Sequence, residues 1–167
     1  MQRSPEIRRL EAADHEQIVA LYNYYVTQTA TTFDLVPFTL ETRQPWFAQF
    51  QGDPRHICVI AADGDEVLGY ANSGRFRAKD AYLTSVETSI YLRHDQTGRG
   101  LGRRLYGSLF EKLANQPVHR AYAAITLPNQ ASISLHQGIG FEKCGFLSEV
   151  GFKLDQYRDV QWMEKAL

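Results

Sequence analysis

Apolar and polar positions change period along this chain, and the changes mark its elements. Over 14–26, Ile18, Val19, Leu21, Tyr22 and Tyr25 recur at helical spacing behind Asp14, a residue type that caps helix N-termini. A short strand is predicted before it, over 7–10. The stretch 27–39 is Thr-rich and broken by Pro37, which reads as a loop; a second helix follows to about 50, with Pro45 blurring its start. From 56 the residues become β-branched and aromatic. Strands over 56–62 and 66–76 flank Asp63-Gly64, a hairpin signal, and a third strand covers 82–93. A glycine-rich turn leads into a helix over 103–115, with Leu105, Leu109, Phe110 and Leu113 as its buried stripe. A strand over 120–127, a helix over 129–139 ended by Gly140, and strands over 141–152 and 157–165 complete the chain.

Early hairpins imply antiparallel pairing, and the later β-α-β segment implies a parallel pair. The expected fold is α/β (α+β): a mixed, mostly antiparallel sheet of about seven strands, with helices on both faces, in a single domain over 1–167. With 167 residues and 44% hydrophobic content, the chain can bury a real core. Lys plus Arg number 18 against 19 Asp plus Glu, a net charge of −1, which argues against a nucleic-acid surface. No apolar run reaches the roughly 20 residues of a membrane span, and the amino terminus lacks a leader pattern, so a cytoplasmic protein with reduced thiols is expected. Cys58 and Cys144 are far apart, and the five histidines lack ligand spacing, so neither a disulfide nor a metal is expected.

The strongest candidate chemistry is the turn Gly98-Arg99-Gly100-Leu101-Gly102 between a strand and a helix. Glycines let backbone N–H groups approach an anion, and a helix N-terminus adds its positive dipole. Such a turn also occurs as a plain tight connection. Gly-Lys-Ser/Thr is missing, which excludes a nucleotide-hydrolase loop, and no β-α-β unit with a following acidic residue supports a dinucleotide fold.

Together with Asn129, Ser132 and Gly140-Phe141, this arrangement resembles the GCN5-related N-acetyltransferase (GNAT) superfamily. Further blocks resemble its phosphinothricin N-acetyltransferase-like branch: Thr31-Thr32-Phe33, Gly69-Tyr70-Ala71, Val86-Glu87-Thr88-Ser89-Ile90-Tyr91, Leu127-Pro128-Asn129, Leu135-His136 and Gly151-Phe152-Lys153. The family's Gln or Arg ahead of the glycines is replaced by Thr97, with Gln96 one residue early. The resemblance implies acetyl-CoA as co-substrate, its diphosphate on Gly98, Arg99, Gly100, Leu101, Gly102 and Arg103, with Asn129 and Ser132 beside its arm. It also implies that Ile90, Tyr91 and Leu92 supply a backbone N–H to the thioester, freed by a bulge.

Glu87 alone reads either as an exposed strand residue paired with an Arg or as a base in a cleft; the resemblance favours the base, which removes the proton an amine must lose before attack. His136 reads as a proton donor to the leaving thiolate or as a helix histidine bonded to a carbonyl. Arg75, Phe76 and Arg77 form a candidate clamp for a carboxylate or phosphinate, with Phe33 and Tyr82 as pocket walls. The implied acceptor is the α-amine of a small amino-acid-like compound such as phosphinothricin, methionine sulfoximine or methionine sulfone. Rival readings are a polyamine, aminoglycoside or protein amino terminus as acceptor, or a non-catalytic acyl-CoA-binding sensor. A homodimer is expected, with Val160, Trp162 and Met163 as interface or core.

Overall fold

A computed structural model describes residues 4–167; residues 1–3, part of the segment read above for a leader, lie outside the described residues. Seven strands form one sheet in the order β1-β2-β3-β4-β5-β7-β6. They are β1 (Glu6–Arg9), β2 (Cys58–Asp63), β3 (Glu66–Arg75), β4 (Ser85–Leu92), β5 (Arg120–Thr126), β6 (Glu142–Lys153) and β7 (Gln156–Ala166). Helices α1 (His15–Gln28) and α2 (Leu40–Gly52) cover one face, and α3 (Leu101–Leu113) and α4 (Gln130–Gly138) the other. Among neighbouring strands only β4 and β5 run parallel. No helix among the described residues is long and apolar enough to cross a membrane.

The two faces of β4 follow from the period of two. Val86 and Ile90 pack with Leu105, Leu109 and Leu113 of α3, while Tyr91 packs with Tyr22, Phe47 and Tyr70 on the α1–α2 side. Fully burying each such side chain contributes about 1.5–3 kcal/mol. Glu87, two residues before Ser89 and four before Tyr91, shares the α1–α2 face.

Several element ends differ from expectation for local reasons. Helix α3 starts at Leu101, because Gly100 takes a left-handed φ of 74° and ends the turn there. Strand β4 starts at Ser85, because 80–82 winds into a 3-10 turn, which puts Tyr82 beyond the strand. Asp14 precedes α1 but does not cap it: Arg8 takes its carboxylate at 2.7 Å. Helix α2 runs through Pro45, starting where Thr39 accepts from the Thr42 N–H. Val160 and Met163 are core residues; on β6 an exposed apolar group lies at Phe146, Leu147, Val150 and Phe152, with Leu35 and Val36 exposed elsewhere.

Candidate active site

The site begins where β4 and β5 part. Their ladder runs from Ser85↔Arg120 to Glu87↔Tyr122 and stops, while β5 continues to Thr126 against β7 alone. On its other side β4 keeps unbroken register with β3 through Gly69↔Leu92. The expected bulge at Ile90-Tyr91-Leu92 is therefore absent, and strand divergence alone opens the edge. The Arg93 N–H bonds to the Leu68 carbonyl at 2.8 Å. Successive residues of an antiparallel ladder turn their backbone groups to opposite sides. Arg93, Tyr91 and Ser89 therefore face β3, and the N–H groups of Ile90 and Leu92 face the opening.

The opening is a cleft of 510 Å³ running from β4 to the N-terminus of α3. Tyr25, Thr31, Ile90, Leu92, Asn129, Ser132 and Leu135 line it, with Thr97, Gly98, Gly100, Leu101, Gly102 and Arg103 at one end. Gly98 and Gly100 have φ of 75° and 74°, so side-chain-free backbone faces the cleft. No side chain caps α3, which leaves its first N–H groups available to an anion. A Cβ at Gly102 would stand 3.0 Å from Leu135, so glycine permits the close approach of α3 to α4. Asn129 caps α4, its Oδ1 accepting from the Ser132 N–H at 3.1 Å. Arg103 donates to the Gly138 carbonyl at 2.9 Å. Arg99 departs from expectation: it turns to a separate recess with Arg93 and Arg104 and donates to Gln96.

Glu87 lies outside this lining, at the last rung of the β4–β5 ladder, opposite Gly74 on β3 and Tyr122 on β5. Burial raises its carboxyl pKa, and the positive charge of Arg77 pulls it partly back; the net shift is upward. Phe76 stacks on Tyr122 with centroids 4.5 Å apart and meets Trp162 edge-on at 6.0 Å. The Arg77 guanidinium lies 4.4 Å from the Phe76 ring centre and 5.5 Å from that of Trp162. Among the described residues Arg77 has no ion-pair partner.

The structure does not bring Arg75 to this group. Its register partner is Val86, so the pleat puts it on the sheet face away from Glu87. It donates instead to the carbonyls of Arg77 and Ala78, bracing the loop that presents Arg77. Tyr82 is exposed and meets Phe76 edge-on at 5.8 Å. Phe33 sits with its ring against Gly151, where a Cβ would collide with it.

His136 is buried, 2% exposed, and both its nitrogens are engaged. The Ser132 carbonyl, 2.8 Å from Nδ1, can only accept, so Nδ1 carries the proton. Nε2 then accepts from the Tyr106 hydroxyl at 3.0 Å. Burial lowers the imidazole pKa, and the hydrogen bond to the Ser132 carbonyl pulls it partly back. With Thr88, Ser89 and Ser132 these residues line a narrow hollow of 50 Å³ between β4 and β5, continuous in its lining with the cleft.

Sequence reasoning missed Tyr106, Tyr122 and Trp162 as site residues. Tyr106 sits beside Leu105 in the buried stripe of α3 and looks like core. Tyr122 and Trp162 meet Phe76 only because β5 and β7 are adjacent, a pairing that no local pattern reveals.

A splayed parallel strand pair, a glycine turn on an uncapped helix and a half-buried carboxylate below them make an acyl-transfer cleft. Residues 7–162 match the family model described as acetyltransferase (GNAT) domain, so the chain belongs to the GNAT acetyltransferase family. Within it, the similarity is to the phosphinothricin N-acetyltransferase-like branch. The phosphinothricin N-acetyltransferase of Streptomyces coelicolor is 47% identical over 156 residues, covering 92% of this chain and 91% of that protein. The L-methionine sulfoximine/L-methionine sulfone acetyltransferase of Pseudomonas aeruginosa is 38% identical, with 98% and 95% coverage. A phosphinothricin acetyltransferase from Sinorhizobium meliloti, solved in complex with acetyl-CoA, superposes with a TM-score of 0.93 at 30% identity, covering 99% of this chain and 89% of that one.

Proposed function

We propose that this enzyme transfers acetyl from acetyl-CoA to the α-amine of a small amino-acid-like acceptor carrying an oxyanion or sulfone-type group, such as phosphinothricin, methionine sulfoximine or methionine sulfone. The observation that carries the reading is Glu87 at the last rung before β4 and β5 part, under the charge of Arg77, which has no ion-pair partner among the described residues and lies over the Phe76 ring.

Acetyl-CoA supplies the activated acyl group when bound. The glycine turn and the first amides of α3 fit its diphosphate. The open N–H groups of Ile90 and Leu92 fit the amide groups of its arm, and one of them fits the thioester oxygen, where negative charge develops. Glu87 takes a proton from the acceptor ammonium, directly or through one water, and the freed amine attacks. The N–C bond forms as the C–S bond breaks, and the second proton lost by the attacking nitrogen goes to the departing CoA thiolate, which leaves as free thiol. Arg77 holds the acid end of the acceptor while Phe76, Tyr122 and Trp162 enclose its side chain. His136, with both nitrogens engaged, fixes Tyr106 at the narrow end of the cleft rather than donating a proton itself.

The dimer expectation moves to the β6 edge, whose apolar row and open backbone suit a second copy; sedimentation at micromolar concentration checks it. The function itself is tested by thiol release from acetyl-CoA across a panel. It holds phosphinothricin, methionine sulfoximine, methionine sulfone, ordinary amino acids, spermidine, an aminoglycoside and a peptide amino terminus. Turnover confined to the first three agrees with the proposal. Turnover on spermidine, aminoglycoside or peptide alone contradicts the acceptor class, and tight acetyl-CoA binding without turnover favours the sensor.

A further inference from the structure

Lys153 is buried, 5% exposed, at the end of β6. Its Nζ lies 2.7 Å from the Thr32 carbonyl, 2.9 Å from that of Asp34 and 3.5 Å from that of Tyr25. An ammonium has three protons, and here three carbonyls receive them. The Tyr25 carbonyl belongs to the last turn of α1, where a positive charge is favoured. From the opposite side the Tyr22 hydroxyl meets Thr32 Oγ1 at 2.7 Å and donates to Asp34. The segment 29–34 is thereby gripped between α1 and the β6–β7 hairpin. Between its two anchors the far end of the Phe33 ring lies against Gly151, leaving no room for a Cβ there. Just ahead of them Thr31 lines both the cleft and the narrow hollow, and its carbonyl lies 3.4 Å from Thr126 Oγ1.

A buried ammonium is costly unless fully bonded, so its placement here calls for a purpose beyond packing. We propose that Lys153 is a positioning residue: it fastens the 29–34 segment across the mouth of the β4–β5 opening, holding Thr31 where the cleft meets the hollow and Phe33, the acceptor wall expected from the sequence, against Gly151. The inference rests on the acetyltransferase reading for its kinetic arm only. Two of the three carbonyls bonded to the ammonium, those of Thr32 and Asp34, belong to this segment and the third to α1, so loss of the charge releases the segment from its anchor while the sheet and the α3 turn stay in place.

The test compares wild type with Lys153→Met, Lys153→Arg and Gly151→Ala. Hydrogen exchange of the amides over 30–36 should quicken about tenfold in Lys153→Met, with the sheet amides unchanged. With methionine sulfone, the acceptor KM should rise about tenfold while kcat stays within about threefold. Lys153→Arg, which keeps the charge, should recover part of both. Gly151→Ala keeps the ammonium contacts but displaces Phe33, and should raise the acceptor KM in the same direction. A folded Lys153→Met with unchanged exchange over 30–36 and unchanged KM overturns the inference. If Lys153→Met does not fold, an unchanged acceptor KM in Gly151→Ala overturns it. If wild type turns over no acceptor, the function proposal fails and hydrogen exchange alone decides the fastening.

Discussion

The cleft and the Glu87 group at the foot of the β4–β5 opening are built from different materials. At the α3 end the working groups are backbone: left-handed Gly98 and Gly100, an uncapped helix N-terminus, and the unpaired amides of Ile90 and Leu92. At the Glu87 end they are side chains from four elements: Glu87 from β4, Phe76 and Arg77 after β3, Tyr122 from β5 and Trp162 from β7. Backbone chemistry suits a donor arm that is always the same, since it depends on conformation rather than on residue identity. Side-chain chemistry suits an acceptor that must be distinguished from other amines. The division predicts that substitutions at one end leave binding at the other end intact.

The largest expected effect is that of Glu87→Gln, which should lower kcat about 10²–10⁴-fold, as loss of a general base does. Its acetyl-CoA dissociation constant by calorimetry should match wild type, and a parallel loss of affinity would break the separation. Next, Gly100→Val forces a β-branched residue into a left-handed turn, at about 1–3 kcal/mol. It should weaken acetyl-CoA binding about tenfold or more, with the acceptor KM little changed. With Arg77 as the proposed clamp on the acceptor's acid end, Arg77→Ala should raise the acceptor KM about tenfold, leaving acetyl-CoA binding alone. Arg75→Ala sharpens the comparison further. Arg75 touches only the loop, so its loss should raise the acceptor KM about threefold, less than that of Arg77.

The smallest effect concerns stability. The folded state raises the Glu87 pKa above the ordinary glutamate value of about 4.3, so the folded protein holds this proton where the unfolded chain releases it. Stability from this group therefore falls as pH rises through the interval between the two values. Melting curves should show Glu87→Gln slightly more stable than wild type at neutral pH, with the gain fading below about pH 4.

The sequence and the structure agree best where chemistry is local. Gly98-Arg99-Gly100-Leu101-Gly102 announced its turn because left-handed backbone demands glycine. The alternation around Glu87 placed it on the face with Ser89 and Tyr91, because a strand has period two. Agreement failed where a side chain's direction depends on its surroundings. Arg75 and Arg77 look like one clamp in sequence, yet the pleat sends Arg75 to the other face and only the loop after β3 returns Arg77 toward Glu87. Arg99 sits in the turn but points away, since only the backbone there faces the cleft. The opening itself was attributed to a bulge, a local device, when it comes from β5 leaving β4 for β7, which local sequence does not encode.

The central claim is that Glu87 is the base and that its ionisation is tuned by burial against Arg77. The pH dependence of kcat/KM on methionine sulfone, measured for wild type, Arg77→Ala and Glu87→Gln, tests it most directly. Wild type should show an acid limb above the ordinary glutamate value. The limb moves to higher pH in Arg77→Ala, where the stabilising charge is gone, and is absent from the residual activity of Glu87→Gln. An acid limb that survives unchanged in Glu87→Gln would contradict it.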